Sequence, residues 1–173
     1  MILLLTGYRG SGKTTIGQKL ADRLWRSFID LDVRIVAKAG KSIREIFEQD
    51  GEPRFRDLET QALHEVLQIA DDTIIALGGG AVVRDQNREM IKAAPSTKTI
   101  YLRCDPEVLH QRIAADAATA AARPALTALG GTIEEVEAKL AEREPIYRAA
   151  MDHEIDVTNL TPDEAVVYIV RML

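Results

Sequence analysis

A lysine and two threonines close a glycine-rich stretch, GYRGSGKTT, from Gly7 to Thr15. The spacing Gly7-x-x-x-x-Gly12-Lys13-Thr14 is a complete phosphate-loop motif. Glycines let the backbone turn so that successive N–H groups face one concavity. The helix that follows adds its positive N-terminal end. Lys13 brings a full charge to the β- and γ-phosphates, and the Thr14 hydroxyl can ligate Mg²⁺. A glycine-rich turn with a stray lysine is the plain alternative. An apolar strand before the motif and a helical pattern after it argue for a nucleoside triphosphate site.

Switches, ATPases and small-molecule kinases all carry such a loop, so other residues must name the reaction. In FIDLD, Asp30 and Asp32 are expected to share one face at the end of a second strand, beside the ligand crevice of a parallel sheet. A solvated turn, or a helix cap at Asp32, is the plainer use. Gly78, Gly79 and Gly80 end a third strand, where backbone can approach a ligand closely. Arg56, with Glu52 and Glu59 four and three positions away, reads on its own as an exposed helix salt bridge. Arg143 shares a helical face with Val136, Leu140 and Tyr147, so its guanidinium faces inward and needs an anion. Arg112 and Arg123 lie in segments that bracket the loop. Together these arginines suggest a clamp for carboxylate and phosphate.

Strands are expected at Ile2–Thr6, Ser27–Leu31, Thr73–Leu77, Thr97–Leu102 and His153–Val157. Helical patterns occupy Lys13–Arg26, Val33–Ala39, Ile43–Gln49, Arg54–Ile69, Arg84–Ala94, Pro106–Ala115, Ile133–Ala149 and Pro162–Met172. Ser42 with Glu45, Thr132 with Glu135 and Thr161 with Glu164 form capping-box pairs. Apolar strands separated by helices imply an α/β fold: a five-stranded parallel sheet with helices on both faces. Two stretches break the alternation: a helical insertion over residues 32–69, and an alanine-rich segment over 114–131. The latter is expected to be a mobile lid, with continuation of the preceding helix as the alternative. The 173 residues suit one domain. A net charge of −5 without a basic stripe argues against nucleic acid. The one cysteine, Cys104, is expected at a strand end in the core. No apolar run reaches membrane-spanning length and the start lacks a secretory pattern, so the expectation is a cytoplasmic protein; it is taken to be a monomer.

The motifs GYRGSGKTTIG, FIDLD, GEPRFRDLE, IALGGG, ARPAL and REPIYR follow one another as in shikimate kinases, and the chain resembles that family along essentially its whole length. The resemblance implies a P-loop kinase fold and ATP-dependent phosphorylation of the shikimate 3-hydroxyl, a step toward chorismate and the aromatic amino acids. By position, Gly10, Ser11, Gly12, Lys13, Thr14 and Thr15 would hold ATP, with Arg112 against the adenine. Thr14 and Asp30 would serve Mg²⁺. Asp32, Arg56, Gly79, Gly80 and Arg143 would contact shikimate. Lys13, Asp32 and Arg123 would carry catalysis, Asp32 by orienting the attacking hydroxyl and Arg123 by reaching the transferring phosphate. The lid departs from the family pattern, with Ala120–Ala122 before Arg123 and Ala125-Leu126 after Pro124. Taken without the resemblance, the residues leave room for a gluconate or nucleotide kinase, or a non-catalytic nucleotide-binding module.

Overall fold

The computed structural model describes residues 1–69, 71–116 and 132–173. Residues 117–131 of the expected flap, Arg123 among them, lie outside the described residues, while Ala114 and Ala115 belong to the preceding helix and Asp116 caps it.

Five strands form one parallel sheet: β1 (Ile2–Thr6), β2 (Ser27–Asp30), β3 (Thr73–Ala76), β4 (Thr97–Arg103) and β5 (His153–Asp156). Their spatial order is β2-β3-β1-β4-β5. Leu4 of β1 stands beside Ile75 of β3 and Thr99 of β4. β1 and β3 are buried at every residue, as strands covered on both faces must be. Eight helices are described: α1 (Lys13–Leu24), α2 (Leu31–Ala39), α3 (Ile43–Gln49), α4 (Gly51–Ile69), α5 (Asp85–Ala93), α6 (Pro106–Ala115), α7 (Ile133–Ala150) and α8 (Pro162–Met172). None is long and apolar enough to cross a membrane. Cys104 is buried just after β4, as the sequence implies.

The chain leaves β1 toward β2 and β3, then crosses to β4 and β5. Outgoing connections therefore diverge between β1 and β4, which opens a crevice at their carboxyl ends. The loop after β1 and helix α6 after β4 border that crevice. Helix caps fix the entry of the flanking helices. Ser42 and Thr161 each form a full capping box with Glu45 and Glu164, and Thr132 accepts the Glu135 N–H. Pro145 sits inside α7 without ending it.

Several boundaries shift by a few residues from the sequence reading, as at α4, which opens at Gly51, and the one after β2 matters for the site. β2 stops at Asp30 and helix begins at Leu31. Asp30 is the N-cap of α2, its Oδ1 accepting the N–H groups of Asp32 and Val33 at 3.0 and 3.3 Å. Leu31 is apolar and reads as a fifth strand residue, but the side-chain bond from Asp30 satisfies the helix's free donors and turns the chain. The two aspartates are thus not a strand-face pair. One ends the strand and the other sits in the first helical turn.

Candidate active site

The loop between β1 and α1 has the backbone its glycines permit. Gly10 and Gly12 take φ of 84° and 92°. A Cβ on Gly7 would lie 2.7 Å from the Leu102 carbonyl oxygen, so only glycine brings the loop this close to β4. Gly12 caps α1 with no side-chain bond to the helix's first N–H groups, which leaves them for an anion. Lys13 Nζ donates to the carbonyls of Gly7 and Tyr8, both at 2.9 Å, which holds the ammonium over the loop.

A cavity of about 360 Å³ lies along this loop. Gly10, Ser11, Gly12, Lys13, Thr14 and Thr15 line it, so the loop residues expected to hold the nucleotide fall in one place. Arg112 lines it too, its guanidinium donating to the Val157 carbonyl at 3.2 Å. Ile113, Val157, Leu160 and Pro162 add apolar wall, suited to a flat base. Leu160 in the β5–α8 connection and Pro162 at the start of α8 carry no sequence signal for a nucleotide wall. Their place beside α6 arises only from the strand order.

Asp30 and Asp32 border the same cavity. Thr14 Oγ1 donates to Asp30 Oδ2 at 2.7 Å. That bond fixes the hydroxyl proton on Asp30 and leaves the hydroxyl oxygen's lone pairs for a cation, which fits Mg²⁺. Among the described residues no group of three or more His, Cys, Asp or Glu could hold a metal. Phosphate and water oxygens would therefore complete the shell, as is usual for Mg²⁺.

A second, narrower cavity adjoins the first. Arg9 and Asp32 line both. The rest of its wall comes from Ile43 and Phe47 of α3, from Phe55, Arg56 and Glu59 of α4, from Gly78–Gly80 after β3, and from Arg143 of α7. All five residues expected to contact an acceptor are therefore brought together. Crowding accounts for the outer two of the three glycines, while a Cβ on Gly79 would come no nearer than 3.4 Å to another atom. A Cβ on Gly78 would lie 2.7 Å from Asp32 Oδ1 and 2.8 Å from Glu59 Oε1, and one on Gly80 would lie 2.8 Å from Arg56 Cζ.

Arg56 is not the exposed helix cation that its spacing suggests. Its side chain is largely buried, and Nη1 donates to Glu59 at 2.8 Å while Nη2 donates to the more exposed Glu52 at 3.1 Å. Burial works against the guanidinium's charge. Glu59 and Glu52 more than offset it, holding the Arg56 pKa above the ordinary arginine value. Glu59 is almost wholly buried, and that burial pushes its pKa up, against the pull of Arg56. Its functional place was missed in the sequence, where it served only as a partner for Arg56. A signal existed: Phe55, Glu59, Ala62, Leu63 and Val66 share one helical face, and the four apolar members are buried. Arg143 is buried as expected, with Nη1 donating to the Gly79 carbonyl at 3.3 Å and its guanidinium 6.0 Å from the Tyr8 ring centre.

The site thus holds an anion-binding loop, a threonine–aspartate pair, and a cationic second pocket reached past Asp32. This arrangement can deliver a phosphoryl group to a small anionic acceptor. Comparison with known proteins points the same way. The family model described as "Shikimate kinase" matches residues 9–173. A shikimate kinase of Rhodopirellula baltica is 43% identical over 98% of this chain and 88% of its own. One from Enterococcus faecalis is 37% identical over 99% and 97%. A shikimate kinase from Acinetobacter baumannii, solved in complex with shikimate, superposes with a TM-score of 0.90 at 32% identity, covering 99% of this chain and 91% of that one.

Proposed function

The chain belongs to the shikimate kinase family, and we propose that it transfers the γ-phosphoryl group of ATP to the 3-hydroxyl of shikimate. The observation that carries this reading is Arg56 and Arg143 in one pocket that opens past Asp32 onto the phosphate loop. Two guanidiniums suit a carboxylate, and the acceptor's hydroxyl would then enter beside Asp32.

In the transfer, a bond forms between the acceptor oxygen and the γ-phosphorus as the bond to the β–γ bridging oxygen breaks. Asp32 orients the hydroxyl and takes its proton late, because the transition state is loose and the nucleophile keeps its proton until then. Lys13 moves from its loop carbonyls to the β/γ-phosphates. Thr14 and Asp30 would hold Mg²⁺, which would supply positive charge against the negative charge that develops on the phosphates. Arg112 packs against the base. Arg123 is assigned the transferring phosphate by its place in the family motif. With both substrates seated, the chain works as one kinase domain whose segment 32–69 carries acceptor contacts.

A coupled assay for ADP release over a panel of acceptors tests the reading. Shikimate should be turned over, with little turnover of gluconate or nucleoside monophosphates. Its uncharged methyl ester should lose about 2–5 kcal/mol of binding, the cost of leaving a desolvated charge unpaired. Equal turnover of acid and ester would remove the arginine clamp.

A further inference from the structure

Tyr147 is fully buried, and its hydroxyl reaches the glycine turn that borders the acceptor pocket. Its Oη donates to the Gly79 carbonyl at 2.5 Å, and its ring packs against Tyr101 with centroids 5.1 Å apart. Arg143, one helical turn earlier on α7, donates to the same carbonyl at the longer distance of 3.3 Å. One backbone oxygen in the triple-glycine turn is therefore held by two side chains of one helix.

That carbonyl belongs to the Gly79–Gly80 peptide. In a trans peptide the C=O and N–H point to opposite sides. Fixing the Gly79 oxygen on α7 aims the Gly80 N–H away from α7. No backbone acceptor among the described residues takes that N–H, and both glycines border the acceptor pocket. A triple glycine is the least constrained backbone available, since it populates both signs of φ readily. Something outside the turn must choose its orientation.

We propose that Tyr147 is a positioning residue that fixes the Gly79–Gly80 peptide so that its N–H is preset for an acceptor oxygen. The inference rests on the reading of this pocket as the shikimate site. Arg143 cannot do this alone: when its guanidinium turns to a bound carboxylate, Tyr147 keeps the carbonyl in place. Burial raises the Tyr147 pKa far above neutral, so the hydroxyl stays protonated and remains a donor.

Tyr147→Phe keeps the ring and removes only the donor. Tyr101→Phe is the matched control, since the Tyr101 hydroxyl is buried with no hydrogen-bond partner among the described residues. In steady-state assays Tyr147→Phe should raise the shikimate KM about fivefold to tenfold, in line with one lost hydrogen bond of good geometry. The ATP KM should stay within about twofold, and Tyr101→Phe should change neither. An unchanged shikimate KM in Tyr147→Phe overturns the proposal. So does an equal rise in both KM values, which is what general loosening would produce. Absence of turnover by the unaltered protein would instead remove the function reading itself. Should Tyr147→Phe fail to fold, proton NMR of the unaltered protein decides. The Tyr147 hydroxyl proton should be observable, slow to exchange, and shifted by shikimate. A hydroxyl exchanging too fast to observe, with or without shikimate, overturns the proposal.

Discussion

Asp30 uses one carboxylate oxygen on the N–H groups of α2 and the other on the Thr14 hydroxyl. Asn at this position still accepts from the helix through its amide oxygen but loses its negative charge. Asp30→Asn should therefore fold, need more Mg²⁺ for half-maximal rate, and regain rate at high Mg²⁺. Asp32 lies where the two cavities meet, so Asp32→Asn should leave the metal titration nearly unchanged while lowering kcat by about 10²-fold, the low end for a lost base. Identical behaviour of the two variants in Mg²⁺ and shikimate titrations would merge them into one metal site. Glu59 gives a pH-dependent prediction. Its folded pKa is raised above the unfolded value by burial. A raised pKa contributes stability that is fully present below the unfolded pKa and lost as pH rises through the folded one. Glu59→Gln has no such term. Relative to the unaltered protein, the variant should gain stability as pH rises from about 4.5 toward neutrality, the ordinary glutamate range. Urea unfolding at several pH values reads this, and a constant difference between the two proteins would refute it. The same variant should raise the shikimate KM, because Arg56 loses its buried anchor. The P-loop residues were legible in the sequence by type and spacing, and Arg143 by its inward helical face, whereas Arg56 read alone as an exposed ion pair and gained its place only from the family resemblance. Arg9 and Glu59 were not legible: one fills a variable position of the loop, and the other's spacing to Arg56 looks like any helical ion pair.

At the scale of elements, apolar runs and capping pairs mark most of the fold, and the failures come from local bonds that override pattern. Leu31 extends the strand by hydropathy, and Asp30 ends it by capping. Two substitutions separate these influences. Thr161 opens α8 through a full capping box with Glu164, and Pro162 at the first helical position already suits a helix start. Thr161→Ala should cost about 1 kcal/mol of stability without changing the shikimate KM. Gly17 sits in mid-α1, where Ala would gain about 1 kcal/mol of helix propensity. Yet a Cβ there would lie 2.5 Å from Phe28 Cε2 and 3.3 Å from Leu5 Cδ1, against the sheet. Overpacking of this kind costs about 1–3 kcal/mol, so it should win. Gly17→Ala is expected to destabilise by about 1 kcal/mol in urea. A gain in stability would mean that Phe28, which is only partly buried, moves aside freely.

Over the whole molecule the charge is −5, yet both substrates are anions. The long-range field does not collect them, so recognition falls to cations held at one sheet edge. The two cavities there are not independent, because Arg9 and Asp32 wall both. A ligand in either pocket must order these shared side chains, and the second ligand does not pay that ordering again. Binding should therefore be positively coupled, with a coupling on the order of 0.5–3 kcal/mol for residues in contact. Thermal unfolding measures this directly. Either ligand alone at about 100 times its Kd should stabilise the fold by about 2.7 kcal/mol. For a chain of this size that is a rise in Tm of roughly 5–10 °C. MgADP and shikimate together avoid turnover and should raise Tm by at least about 2 °C more than the sum of the two separate shifts. Asp32→Asn should shrink that excess, since it alters a wall common to both pockets. A purely additive shift in the unaltered protein would mean that the pockets meet in space without sharing the cost of order, and that the residues between them are already fixed before either substrate arrives.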